Sequence, residues 1–261
     1  MFIDVHCHLT GNEFDEVGGI ENVLARAKAA GVERIICSGY DLDSSKAAAE
    51  LASAHSEVYF TAGFHPSELA KYREGDLERL KTLCREEKCI AVGEIGLDYH
   101  FEDNPAPDFQ RELFIKQLFL ADEVGLPVVL HSRDAAGETL EILKAHTPLL
   151  KRGGLMHCYS YSPEMAENYE KLGFCFSFGG PITFQNSKKA QESVQRIPAH
   201  RILSETDCPY LTPVPFRGTF PNEPKNVVYA VEKLAKLKGL PIEIMQAQIE
   251  ENAKKLFGKL R

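Results

Sequence analysis

Short, largely apolar runs alternate with longer stretches of helical periodicity along the chain, and this alternation narrows the possible folds more than any other feature. The runs are FIDVH (2–6), RIICS (34–38), VYFTAG (58–63), CIAVGEIG (89–96), LPVVLH (126–131), GGLMH (153–157), FCFSFG (174–179) and RILSETD (201–207). Helical patterns fill 21–30, 43–55, 76–87, 108–124, 135–145, 163–172 and 187–196; two more, 225–238 and 241–257, follow the last run. Gly31, Gly125 and Gly173 supply helix stops, and Asp43 or Ser44 an N-cap. The runs are apolar at nearly every position, the pattern of strands covered on both faces. Eight strand–helix repeats predict an α/β chain of the (β/α)8 TIM-barrel type, one domain over residues 1–261.

Composition removes several classes. No run of about 18 apolar residues is present, so no membrane span is expected. FIDVH is short and interrupted by Asp4, and no basic segment precedes it; a signal peptide is not expected, and a cytoplasmic location is. The seven cysteines show no paired CxxC spacing. Cys37, Cys84, Cys89 and Cys175 sit among apolar residues and read as reduced core thiols. A formal net charge of −8 disfavours a broad basic surface for duplex nucleic acid. It leaves room for a phosphate-bearing substrate, because bound divalent cations reverse the local field.

The residues that close the strands carry the chemistry. The first ends in His6 and His8, the fourth in Glu94, the fifth in His131, the sixth in His157 and the eighth in Asp207. In a parallel barrel these C-terminal ends meet at one mouth. His6 and His8 are two apart, so on an extended backbone they share a side while Cys7 faces away. Four imidazoles and two carboxylates exceed one tetrahedral site. They suit two ions: His6, His8 and Asp207 on one, His131 and His157 on the other, with Glu94 as the bridge. A lone histidine at a strand end is more often a packing or surface residue, and His55, His146 and His200, which lie outside the pattern, are read that way. For the six together, convergence at one mouth decides for metal.

The segments FIDVHCHL, GEIGLDYH, LHSRDA, MHCYS and SETDCPYL, in that order, resemble the TatD family of metal-dependent deoxyribonucleases within the amidohydrolase superfamily. RGTFPNEPKNV also resembles that family's last block. The resemblance implies a TIM-like barrel and a divalent-metal hydrolase of phosphodiester bonds in DNA. It carries over His6, His8, Glu94, His131, His157 and Asp207 as ligands, with Glu94 where many superfamily members use a carboxylated lysine.

Two divalent ions lower the pKa of water, neutralise phosphoryl oxygens and stabilise the leaving alkoxide. Asp207 is the expected general base, with Glu94 as its partner in catalysis. Glu205, two residues earlier, faces the same way; it contacts substrate or a ligand, or it is a buried strand carboxylate with a structural partner. His65 in AGFHP is a hydrogen-bond donor to phosphate or a packing residue, and Arg133 is a bidentate fork for phosphate or the partner of a nearby acid. Asp98 caps its loop or holds a ligand histidine. Tyr99 and His100 flank a base or pack their loop. Lys188, Lys189 and Arg217 lie in loops that often bind phosphate in barrels, though exposed lysines are commonly just solvated. The acidic total favours single strands or ends of DNA, with Tyr159, Tyr161 and Phe184 as stacking surfaces unless they belong to the core.

The reading is therefore a phosphodiesterase or deoxyribonuclease with two divalent ions, Zn, Mn, Mg, Co or Ni. Its alternatives are a hydrolase of a small amide, a lactone or an aminoacyl-tRNA ester, and a catalytically idle metal-binding scaffold.

Overall fold

The computed structural model describes residues 1–260. Its strands are β1 (Phe2–Cys7), β2 (Val32–Ser38), β3 (Val58–Ala62), β4 (Cys89–Asp98), β5 (Val128–Arg133), β6 (Gly154–Met156), β7 (Phe174–Phe178) and β8 (Ile202–Ser204). They form one eight-stranded sheet in sequence order. The pairs β1–β2, β3–β4, β4–β5, β5–β6 and β7–β8 are all parallel. β8 returns beside β1, where Ser204 Oγ donates to the Ile3 carbonyl at 2.8 Å. This is the connectivity of a (β/α)8 barrel.

The helices are α1 (Gly19–Ala29), α2 (Leu42–Ala54), α3 (Asp76–Cys84), α4 (Pro107–Val124), α5 (Ala136–Ala145), α6 (Pro163–Lys171), α7 (Lys188–Arg196), α8 (Val227–Lys238) and α9 (Ile242–Leu256). α2 starts earlier than expected because Asp41, not Asp43 or Ser44, is its N-cap. Asp41 accepts from the Ser44 N–H and the Ser44 hydroxyl returns to the Asp41 N–H, a capping box. α4 opens on Pro107, whose missing N–H costs nothing there, and ends at Gly125 in the left-handed region.

Contacts divide the chain into two compact units. One comprises Met1–Cys37, Cys158–Glu167 and Phe176–Lys255. Within it α8 packs on β1 and β8, burying Val227, Val231 and Leu234. Asn252 of α9 donates to the carbonyls of Ala199 and Ile202 at 2.8 and 2.7 Å, which ties the last helix to the start of β8. The other unit comprises Ser38–His157, Asn168–Cys175 and the chain from Leu256. Here α2 packs on β3 and α4 on β4. Gln117 of α4 is buried and exchanges two hydrogen bonds with the Phe64 backbone, at 2.7 and 3.1 Å, fixing the exit of β3.

Three strand ends differ from expectation. β4 continues four residues past Glu94 to Asp98, β5 continues past His131 to Arg133, and β8 stops at Ser204, before Asp207. Glu94 is thus placed by a bulge rather than by a strand end: the β4–β5 register shifts between Val92 and Ile95. Bulges re-aim a side chain in this way. Gly96, at φ 140°, is required here, since a Cβ on it would stand 1.9 Å from the His131 carbonyl oxygen.

Candidate metal centres

In the first unit β1 delivers a buried His6, and His8 follows one residue beyond its end. Their rings lie 5.0 Å apart and nearly perpendicular. Asp207 sits at φ 56°, a left-handed conformation that aspartate tolerates better than most residues. Main-chain bonds fix the three together. The Asp207 N–H donates to the His6 carbonyl at 3.0 Å, and the His8 N–H to the Cys208 carbonyl at 2.7 Å. Asp207 Oδ1 then lies 3.4 Å from His8 Nε2 and 3.7 Å from His6 Nε2. Asp4 backs this seam. It is fully buried and accepts from Thr206 Oγ1, the Thr206 N–H and the His6 N–H. Burial pushes its carboxyl up to about 8, although those hydrogen bonds act to lower it.

In the second unit Glu94 Oε1 is the hub. His157 Nε2 lies 2.8 Å from it, His131 Nδ1 3.0 Å and His65 Nε2 3.5 Å. His131 Nδ1 and His157 Nε2 are 3.2 Å apart. The far nitrogen of His131 meets Asp98 Oδ2 at 2.9 Å, while Asp98 Oδ1 accepts the His100 N–H at 2.9 Å. Asp98 thus does both things its sequence position suggested, capping the loop and holding a histidine. Burial alone would raise the Asp98 carboxyl; hydrogen bonds from His131 and the His100 N–H outweigh it and hold it below the usual carboxylate range. His65 caps the 3-10 turn Pro66–Lys71, and the Ser67 N–H donates to its Nδ1 at 3.2 Å. A neutral His65 therefore carries its proton on Nε2, the atom that faces Glu94.

Both donor sets fit a divalent ion. In a tetrahedral site with bonds of about 2.0–2.1 Å, neighbouring donors stand roughly 3.3–3.4 Å apart. Glu94, His131 and His157 form a triangle with edges of 2.8, 3.0 and 3.2 Å, and Asp207 lies 3.4 and 3.7 Å from His8 and His6. Mixed imidazole and carboxylate donors suit Zn, Mn, Co or Ni. Asp4, Cys7 and Cys208 also converge, but burial raises all three above their usual pKa, which favours neutral groups of a core rather than ligands.

The remaining residues divide. Glu205 is fully buried and accepts from the Cys158 N–H and Ser177 Oγ, the structural partners that one of its two readings expected. Arg133 is exposed, with its guanidinium 4.9 Å over the Phe101 ring. The acid beside it, Asp134, meets His100 Nδ1 at 2.7 Å. Tyr99 donates to Glu138. Tyr159 is a core residue and does not offer a stacking face. Tyr161 and Phe184 are half-buried, and Arg217 lies over the Phe184 ring at 4.0 Å. Lys188 and Lys189 are exposed; Lys189 lines a cavity of ≈ 330 Å³ together with Cys158, Tyr159, Phe178, Pro181 and Asn186. His200 is exposed as expected, whereas His55 and His146 are half-buried at helix ends. All seven cysteines are free thiols, and six of them are buried. No helix among the described residues is long and apolar enough to cross a membrane.

Sequence reasoning missed the Asp4–Thr206 support and the Ser67 hold on His65. The signal for the first was present, an aspartate inside an otherwise apolar strand. The second depends on loop geometry that residue types do not disclose.

A family model described as TatD related DNase matches residues 3–258. The uncharacterized metal-dependent hydrolase YabD of Bacillus subtilis (strain 168) is 44% identical over 257 residues, covering 98% of this chain and 99% of that protein. The 3'-5' ssDNA/RNA exonuclease TatD of Klebsiella pneumoniae (strain 342) is 33% identical over 261 residues, covering 98% of this chain and 97% of that protein. Among solved structures, YJJV, a TatD homolog from Escherichia coli K12, superposes with a TM-score of 0.90 at 34% identity, covering 98% of each chain. A match of that extent gives this chain the (β/α)8 TIM-type fold expected from its strand pattern.

Proposed function

The chain belongs to the TatD related DNase family of metal-dependent hydrolases, and from that premise we propose that it hydrolyses phosphodiester bonds at ends or in single strands of DNA. The observation that carries this reading is the pair of donor clusters, His6–His8–Asp207 and Glu94–His131–His157, each spaced for a divalent ion. The Klebsiella relative, named for action on single-stranded DNA and RNA, supports the substrate class. We take each of the two clusters to hold a divalent ion. Residues 1–261 then work as one hydrolase domain, in the cytoplasm.

Divalent ions held by these residues supply a lowered water pKa and positive charge against the phosphoryl oxygens. The side chains do the rest. Asp207 is half-exposed to the site through a left-handed turn and accepts the proton of the attacking water. Glu94 keeps negative charge between the imidazoles of His131 and His157. Asp98 orients His131 from behind, an arrangement that raises ligand basicity. His65 offers its Nε2 proton to a phosphoryl oxygen, and Arg133, exposed at the end of β5, meets a further phosphate. Glu205 positions Cys158 and the turn after His157 rather than the substrate.

The test is cleavage of a labelled single-stranded oligonucleotide by protein loaded in turn with Zn, Mn, Mg, Co and Ni, with and without chelator. Chelator-sensitive release of nucleotides is expected. Product from lactones or aminoacyl esters, with phosphodiesters inert, would overturn the assignment.

A further inference from the structure

Five exposed large apolar side chains fall within the eleven residues 210–220 after β8: Tyr210, Leu211, Val214, Phe216 and Phe220. Phe220 is 59% exposed and Tyr210 52%. Apolar clusters of this kind on a surface commonly mark a binding site. The loop is not slack. The Tyr210 N–H donates to the Asp207 carbonyl at 3.0 Å, and the Asn222 N–H to the Pro209 carbonyl at 2.8 Å. Asn222 Nδ2 donates to the Tyr210 carbonyl at 2.8 Å and Thr212 Oγ1 to the Thr219 carbonyl at 2.6 Å. The Val214 N–H reaches Thr183 Oγ1 at 2.9 Å. Leu211 presses its carbonyl against Gly180, where a Cβ would stand 1.8 Å from it. The backbone that carries the aromatic side chains is therefore a fixed frame, with little main-chain freedom left to lose when something stacks on them.

We propose that residues 208–220 form a stacking platform for the bases of a single-stranded nucleic acid whose reacting end lies at Asp207; this rests on the phosphodiesterase reading above. Three observations point to bases rather than to another occupant. The platform begins at Asp207 itself, so whatever reacts there passes over it. The Tyr210 and Phe220 rings, both more than half exposed, form a tilted aromatic pair with centroids 6.3 Å apart, and exposed rings of this kind offer π-faces on which bases stack. Arg217, held over Phe184, brings a guanidinium to the same loop. A net charge of −8 gives the chain no broad basic surface for a polyanion, so stacking, which tolerates any base, adds affinity beyond the local positive charge at the site.

The chain has no tryptophan, so Phe220→Trp installs a single indole as a reporter. The full metal-loaded variant is titrated with a phosphorothioate oligothymidylate hexamer, which resists cleavage. Saturable quenching of about half the emission is expected, with the midpoint rising as salt increases from about 50 to 200 mM while the quenching at saturation stays the same. In parallel, the wild-type KM for the cleavable hexamer should lie roughly tenfold below that for a dinucleotide, and the Phe216→Ala/Phe220→Ala variant should lose that dependence on length. The proposal falls if wild type cleaves the hexamer while the indole stays unquenched and the double variant keeps its length dependence. It falls equally if emission changes with protein concentration alone and the double variant turns a dimer into a monomer, since a second copy then covers the loop. If wild type cleaves no phosphodiester, the hydrolase reading fails by itself, and quenching still decides the platform.

Discussion

The two donor clusters are assembled by opposite means. His6, His8 and Asp207 are fixed mainly by the main chain: a strand two residues in period, a left-handed turn, and backbone hydrogen bonds joining His6 to Asp207 and His8 to Cys208. Glu94, His131 and His157 are fixed by side chains, with one carboxylate oxygen serving three imidazoles and Asp98 holding His131 from behind. The donor spacing is looser in the first, 3.4–3.7 Å, and tighter in the second, 2.8–3.2 Å. A cluster set by the backbone should survive loss of a supporting side chain. One set by side chains should not.

Glu94→Ala is the severest break of that contrast. It leaves the imidazoles of His65, His131 and His157 without their common partner, and turnover is expected to fall to background with loss of bound metal, read by elemental analysis and oligonucleotide cleavage. Retention of both would remove Glu94 from the site. Asp207→Asn comes next, since asparagine also accepts the left-handed backbone. It should lower kcat by about 10²–10⁴-fold even at saturating metal, as expected for loss of a general base, with metal affinity also weakened because a donor oxygen loses its charge. Unchanged kcat would assign the base elsewhere. Asp98→Asn sharpens the comparison: it should weaken metal binding about 10–100-fold, recovered by excess metal, because only the orientation of His131 is lost. Thr206→Val should act least on the chemistry. It strips Asp4 of a hydroxyl donor in the interior and should cost about 1–3 kcal/mol of stability in denaturant titrations, with metal affinity nearly unchanged. A large drop in metal affinity would mean that the first cluster also depends on side-chain support.

Much of the fold was legible because burial on both faces leaves nearly unbroken apolar runs, and each of the eight runs contains or overlaps a strand. Helix ends were legible where glycine closes them, as at Gly125, and less so where a cap lies outside the periodic stretch, as with Asp41. The candidate site was legible as chemistry rather than as geometry. His6, His8 and His131 carry their meaning in residue type and strand position. Glu94 does not: what aims it is a bulge, and bulges follow from tertiary packing around small residues such as Gly96. Glu205 misled for a related reason. Period two put it on the side of Asp207, yet β8 had already ended at Ser204, so strand alternation no longer governed either residue.

The bonds that join β1 to the segment after β8 also set a schedule. A ribosome releases His6 and His8 early, but Asp207 and the Cys208 carbonyl that complete their cluster emerge about two hundred residues later. Glu94, His131 and His157 are all out well before then. A nascent chain therefore passes through a stage in which Glu94, His131 and His157 are all present while His6 and His8 still wait for Asp207, so the order in which the two donor clusters can assemble is written into the order of translation.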